Sequence, residues 1–148
     1  MEIMEWRNGN YLVSTDKNKI DTAAVHHFLS RSYWAKGISS EVVKKSIDNS
    51  LCFGVYNQAK LVGFARVISD FATFAYLADV FIIPEEQGKG LSKWLIKLIV
   101  EHPQLQGLRR FTLATKDAHG LYAQFGFTLF DMPERWMNRH NPDVYKRK

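Results

Sequence analysis

A chain of 148 residues is long enough for one hydrophobic core and leaves no room for a separate substrate domain, so residues 1–148 read as a single domain. Hydrophobic residues at 46% and charged residues at 24% exclude general disorder. The net charge of +5 suits an anionic ligand but is not gathered into one tract or a basic recognition helix, which argues against nucleic acid as the partner.

The first ten residues mix Glu2, Glu5 and Arg7 with Trp6 and Gly9, unlike the unbroken apolar core of a signal peptide. No apolar run approaches the roughly 18 residues that span a bilayer, so the expectation is a soluble, cytoplasmic protein without a membrane partner. Asn10 to Thr15 predicts a first short strand. Asp21 then caps a helix carrying Val25, Phe28 and Leu29 at helical spacing and running to about Tyr33.

Ser39 or Ser40 caps a second helix with Val43 and Ile47 on one face, stopping near Asn49-Ser50. Leu51 to Tyr56 and Leu61 to Ile68 are β-branched and aromatic runs around Asn57-Gln58-Ala59-Lys60, the pattern of an antiparallel hairpin. Cys52, the only cysteine, lies in the first of these runs with no basic neighbour; it reads as a buried structural thiol, and no disulfide within the chain is available.

Phe74 to Ile83 is apolar nearly throughout and predicts a central strand covered on both faces, with Asp79 its one charge. After Pro84 and a short glycine-containing loop, Leu91, Leu95, Leu98 and Ile99 mark the buried face of a helix. Beyond Pro103 and Gly107, Arg110 to Thr115 predicts a strand, Asp117 a cap for a helix to about Gln124, and Phe127 to Phe130 a last short strand. The order β-α-α-β-β-β-α-β-α-β is mixed α/β.

The loop Gln87-Gly88-Lys89-Gly90-Leu91-Ser92 joins that central strand to a helix start, where backbone N–H groups lack intrahelical partners and the helix dipole favours an anion. Its spacing meets neither a Walker loop nor a dinucleotide fingerprint. It does resemble the Arg/Gln-x-x-Gly-x-Gly/Ala loop of the GNAT family of N-acetyltransferases, with Gln87, Gly90 and Ser92 at the defining positions and Ser92 replacing Gly or Ala. Thr115 to Phe127 resembles a second GNAT signature, Asn-x-x-Ala-x-x-Leu/Phe-Tyr-x-x-x-Gly-Phe, with Thr115 in place of Asn.

The resemblance covers about residues 10–131, with an extension over 132–148. It implies a GNAT acyl-CoA N-acyltransferase fold, a central mixed and mostly antiparallel sheet flanked by helices. It implies acetyl-CoA as co-substrate, with pyrophosphate on the amides of Gly88, Lys89, Gly90, Leu91 and Ser92 and pantetheine along Val80, Phe81 and Ile82, near Thr115. Tyr122 takes the position of the tyrosine that assists departure of the thiolate. Asp79 stands one residue after the strand position, here Ala78, that holds a Glu base in some relatives. It is read as base, ammonium anchor or member of a structural ion pair.

In that family Tyr33, Trp34, Phe74 and Tyr76 fall in regions lining the acceptor pocket, and Tyr33-Trp34 can form a cation-binding wall. The expected activity is direct acetyl transfer to a primary amine of a small molecule, peptide or protein. The alternatives are a non-catalytic acyl-CoA sensor and, third, a nucleic-acid-binding module. No metal is expected: His119 stands alone, and adjacent His26 and His27 diverge on their helix. Trp136 either folds back on the domain or meets a second subunit, as in a homodimer.

Overall fold

The computed structural model describes residues 1–146. Arg147 and Lys148, the end of the 132–148 extension, lie outside the described residues. The elements are β1 (Glu5–Asn8), β2 (Tyr11–Ser14), α1 (Thr22–Leu29), α2 (Ser40–Asp48), β3 (Leu51–Asn57), β4 (Lys60–Ser69), β5 (Phe74–Ile82), α3 (Leu91–Val100), β6 (Arg110–Leu113) and α4 (His119–Ala123). The six strands form one sheet in chain order, antiparallel throughout except for the parallel β5–β6 pair. Mixed α/β architecture with a mostly antiparallel sheet is as the sequence predicts.

Alternation along the strands divides the core into two layers. Leu51, Phe53 and Val55 of β3 face α3, whose Leu91, Leu95, Ile96, Leu98 and Ile99 are all buried against them. Cys52 and Tyr56 face the opposite side, where Val25 and Leu29 of α1 and Val43 and Ile47 of α2 cover the sheet. Asp21 and Ser39 cap α1 and α2 as expected, their side chains accepting from the N–H groups of Ala24 and Val42.

The structure corrects several boundaries. A strand precedes the first one expected: β1 pairs with β2 from Glu5–Ser14 to Asn8–Tyr11, using mostly exposed residues that carry no alternation signal. Helix α1 ends at Leu29 rather than Tyr33, because the Ser32 hydroxyl donates to the Leu29 carbonyl and accepts from Ala35 N–H, closing a turn instead of continuing the helix. Asp117 does not cap α4. Thr115 does the nearest equivalent, its Oγ1 accepting from Ala118 N–H at 3.0 Å. Phe127 to Phe130 forms no strand. Phe127 turns inward instead, its ring 5.5 Å from Phe111 and 5.9 Å from Tyr122, while Leu129 stays exposed.

Candidate active site

The site is organised by an irregularity in β5. Arg66 pairs with Ala78 and Phe64 with Phe81, so Asp79 and Val80 stand opposite the single residue Ala65. Asp79 has φ +56, a left-handed conformation that Asp tolerates better than most residues, and the pair of residues forms a bulge. The extra residue inverts the alternation. Ala75 and Leu77 face the α3 layer before the bulge, and Ile82 faces it afterwards, while Phe81 joins the α1/α2 layer. Strict alternation along β5 therefore fails at Asp79.

The bulge also parts β5 from β6. The two strands pair only over Phe74–Leu77 and Arg110–Leu113, after which β6 ends and β5 continues through residues 78–82. The Val80–Ile82 backbone thus borders a gap where its neighbour strand has ended. At the end of β5 the Ile82 carbonyl accepts from Gln87 Nε2 at 2.9 Å, fixing the glycine loop to the strand.

Within that loop Gly88 has φ +80 and Gly90 φ +79, conformations that a side chain would strain. Gly90 caps α3 without any side-chain hydrogen bond, and Trp94 N–H is the first to reach back into the helix, to Gly90 O. The N–H groups of Leu91, Ser92 and Lys93 consequently have no intrahelical acceptor and point out of the helix start. A diphosphate fits this set: several donors, a favourable dipole and open space at both glycines. Lys89 is held aside by Glu86 at 3.3 Å, and that carboxylate also accepts from Tyr11 Oη at 2.5 Å and Asn57 Nδ2 at 3.1 Å. These bonds, the tyrosine's foremost, hold the Glu86 carboxyl below its usual range.

Tyr122 sits on α4 at 8% exposure, packed in the α3 layer. Among the described residues its hydroxyl has no hydrogen-bond partner, yet it is not sealed from solvent. Burial pushes its phenol up, and the nearby Tyr33 phenol adds to the shift, so Tyr122 keeps its proton at neutral pH.

Tyr33 and Trp34 lie in the turn after α1, 66% and 42% exposed, with rings in edge contact at 5.1 Å. Lys116 Nζ stands 5.3 Å from the Tyr33 ring, joining this turn to the loop before α4. Trp34 Nε1 donates to Asp79 Oδ1 at 2.9 Å, and Arg66 Nε donates to Asp79 Oδ2 at 2.9 Å. Both Asp79 oxygens are thereby engaged, with its side chain only 11% exposed. Phe74 and Tyr76 are half-buried on β5 ahead of the bulge, in register with Arg110 and Thr112.

The structure thus brings Tyr33, Trp34, Asp79 and Tyr122 into one connected region, with the glycine loop at the far end of β5. Arg66 was missed from the sequence, although it is the one charge inside its apolar strand just as Asp79 is in the next. Lys116 carried no comparable signal. His26 and His27 diverge as expected, towards Ile38 O and Arg31. Among the described residues no cluster of metal-ligating side chains forms, and no helix is long and apolar enough to cross a membrane.

A bulged strand that outruns its parallel neighbour, with a glycine loop and helix start at its end, is the arrangement on which the fold is recognised. Residues 22–127 match the Acetyltransferase (GNAT) family, and the chain belongs to it. It is 33% identical over 142 residues to a "Putative acetyltransferase" of Gibberella zeae, covering 80% of this chain and 79% of that protein. A crystal structure from Xanthomonas campestris pv. campestris, described as a putative acetyltransferase of the same family, is 51% identical with TM-score 0.90, covering 93% of this chain and 97% of that one. A Clostridium acetobutylicum structure, a predicted acetyltransferase with acetyl-CoA, shares the fold at TM-score 0.65 and 15% identity, covering 88% of this chain and 95% of that one. Of the other curated relatives matched, this chain spans about half the length or less.

Proposed function

We propose that the protein transfers the acetyl group of acetyl-CoA directly to a primary amine of a small molecule, peptide or protein. The observation that carries this reading is the Tyr122 phenol, which keeps its proton, has no hydrogen-bond partner among the described residues and lines an open groove beside β6 with Thr115. Further support comes from the family membership and from the relative crystallised with acetyl-CoA.

As substrate, acetyl-CoA supplies an activated acyl carbon and a sulfur leaving group. The amides of Gly88 to Ser92 would hold its diphosphate, with Gln87 keeping the loop against Ile82 and Thr115 ordering the turn that presents α4. Val80, Phe81 and Ile82 would offer main-chain groups to the pantetheine arm, and a strand N–H from Val80 or Ile82 would polarise the acyl carbonyl. The neutral amine attacks the acyl carbon; the C–N bond forms, the C–S bond breaks, and Tyr122 gives its proton to sulfur. The phenolate recovers a proton, through water, from the nitrogen that has just been acylated.

Tyr33, Trp34, Phe74 and Tyr76 form the acceptor wall in this reading. Asp79 is assigned as its anchor rather than as the base, because both oxygens already serve Arg66 and Trp34. Holding both reactants in one cleft needs no acyl-enzyme, and the buried Cys52 is not called upon.

Thiol release from acetyl-CoA, measured over a panel of polyamines, aminoglycosides, amino-terminal peptides and lysine peptides, tests this directly. Amine-dependent release with an acetylated product by mass spectrometry is expected. Stoichiometric coenzyme A binding without transfer to any amine would replace the enzyme with an acyl-CoA sensor.

A further inference from the structure

The wall assigned to the acceptor holds one carboxylate, and its own neighbours already occupy it. Asp79 Oδ2 accepts from Arg66 Nε and Oδ1 from Trp34 Nε1, each at 2.9 Å. Arg66 is fixed at its far end too, Nη1 donating to the Ser50 hydroxyl at 3.1 Å. With side chains 16% and 11% exposed, Arg66 and Asp79 form a nearly dry pair whose charges cancel. Drawing Asp79 towards an incoming ammonium would strand the guanidinium without its partner, a strongly unfavourable exchange.

The aromatic face is occupied as well. Tyr33 and Trp34 suggest, from sequence, a wall for a ligand's cation, but the chain supplies that cation itself: Lys116 Nζ stands 5.3 Å from the centre of the Tyr33 ring. Trp34 presents its edge or face to Tyr33 at 5.1 Å, and its only N–H donor goes to Asp79. The Tyr33 phenol in turn lies close enough to Tyr122 to affect its proton, which puts Lys116 at the border of the reacting region.

Among the described residues neither Lys116 nor Lys36, in the turn after Trp34, makes an ion pair, and both are exposed. The acid next to Lys116 in sequence, Asp117, is exposed and makes no ion pair either. His119 lines the same groove as Tyr122. This side of the cleft therefore carries more positive charge than negative.

Given acetyl transfer at this site, as proposed above, we infer that the acceptor is a small amine that also bears a carboxylate. The Lys116 ammonium would pair with that carboxylate, whereas the second ammonium of a polyamine or aminoglycoside meets like charge and no free acid. A cation beside the nitrogen also favours its neutral form, the one that attacks.

Thiol release from acetyl-CoA with matched ω-amino acids, alkylamines and diamines of about two to six carbons reads the outcome. At equal length, kcat/KM is expected to be at least about tenfold higher for the amino acid than for the alkylamine, and lowest for the diamine. Lys116→Gln should bring amino acid and alkylamine within about twofold, and Lys116→Glu should put the diamine first. Neither change should move the thermal transition, because Lys116 is exposed. A wild-type chain that favours diamines or treats the three series alike overturns the inference, and so does a preference that survives Lys116→Glu. Calorimetric titration of ε-aminocaproate and hexylamine into the protein with coenzyme A separates this from the transfer reading. If no amine is acetylated that reading falls, while the carboxylate preference still stands or falls on binding: tighter ε-aminocaproate in the wild type and not in Lys116→Gln supports it, and equal binding overturns it.

Discussion

Tyr122→Phe removes one oxygen and keeps the ring that packs on Phe127. No protein hydrogen bond is lost, because the hydroxyl makes none among the described residues, and an unpaired polar group leaves an 8% exposed position. Stability should therefore hold or rise by up to about 1 kcal/mol. A positioned general acid is worth ~10²–10⁴ in rate, which corresponds to about 2.7–5.4 kcal/mol of barrier. Thiol-release kinetics with a responsive amine should show kcat reduced by at least about 100-fold, with KM for acetyl-CoA little changed.

The pH profile adds an independent reading. Burial raises the folded phenol above its ordinary value of ~10, so the neutral form persists through that pH and is lost only above it. The same shift favours the folded state below pH ~10, and that contribution disappears as pH climbs through the folded value. Wild-type kcat should thus lose activity to this phenol only in strong alkali, a limb that the Phe variant lacks. A variant retaining kcat within a factor of about three would refute the proton-donor role.

Asp79→Ala strips Arg66 and Trp34 of their shared acceptor; with side chains 16% and 11% exposed in the pair, urea unfolding should show a loss of about 3 kcal/mol. Asp79→Asn, which accepts the left-handed backbone and still can pair with Trp34, should lose clearly less. Gly90→Val forces a β-branched residue to φ +79 at the head of α3, and calorimetry should find coenzyme A binding weakened at least about tenfold. Burial pushes the Cys52 thiol up to about 12, so the native protein should be silent to a thiol-reactive disulfide near pH 8 and release one equivalent after denaturation.

Much of this was legible in one dimension. Strand and helix periods are local properties, so the apolar stripe of α3 and the β3–β4 hairpin follow from spacing alone. The glycine turn was equally legible, because glycines after a strand and before a helix leave free amides at the helix start. Two single charges in neighbouring apolar strands, Arg66 and Asp79, held the information for their pairing, but the strand register needed to join them was not in the pattern.

Tertiary structure decided the rest. The sequence alone determined which residues could form strands, helices and a glycine turn, since those depend on side-chain period and backbone freedom within a few residues. Only the folded chain put the bulge at Asp79, turned Phe127 inward, and engaged both Asp79 oxygens. Each outcome depends on partners distant in sequence: Ala65 against two residues of β5, Phe111 against the Phe127 ring, Arg66 and Trp34 on one carboxylate.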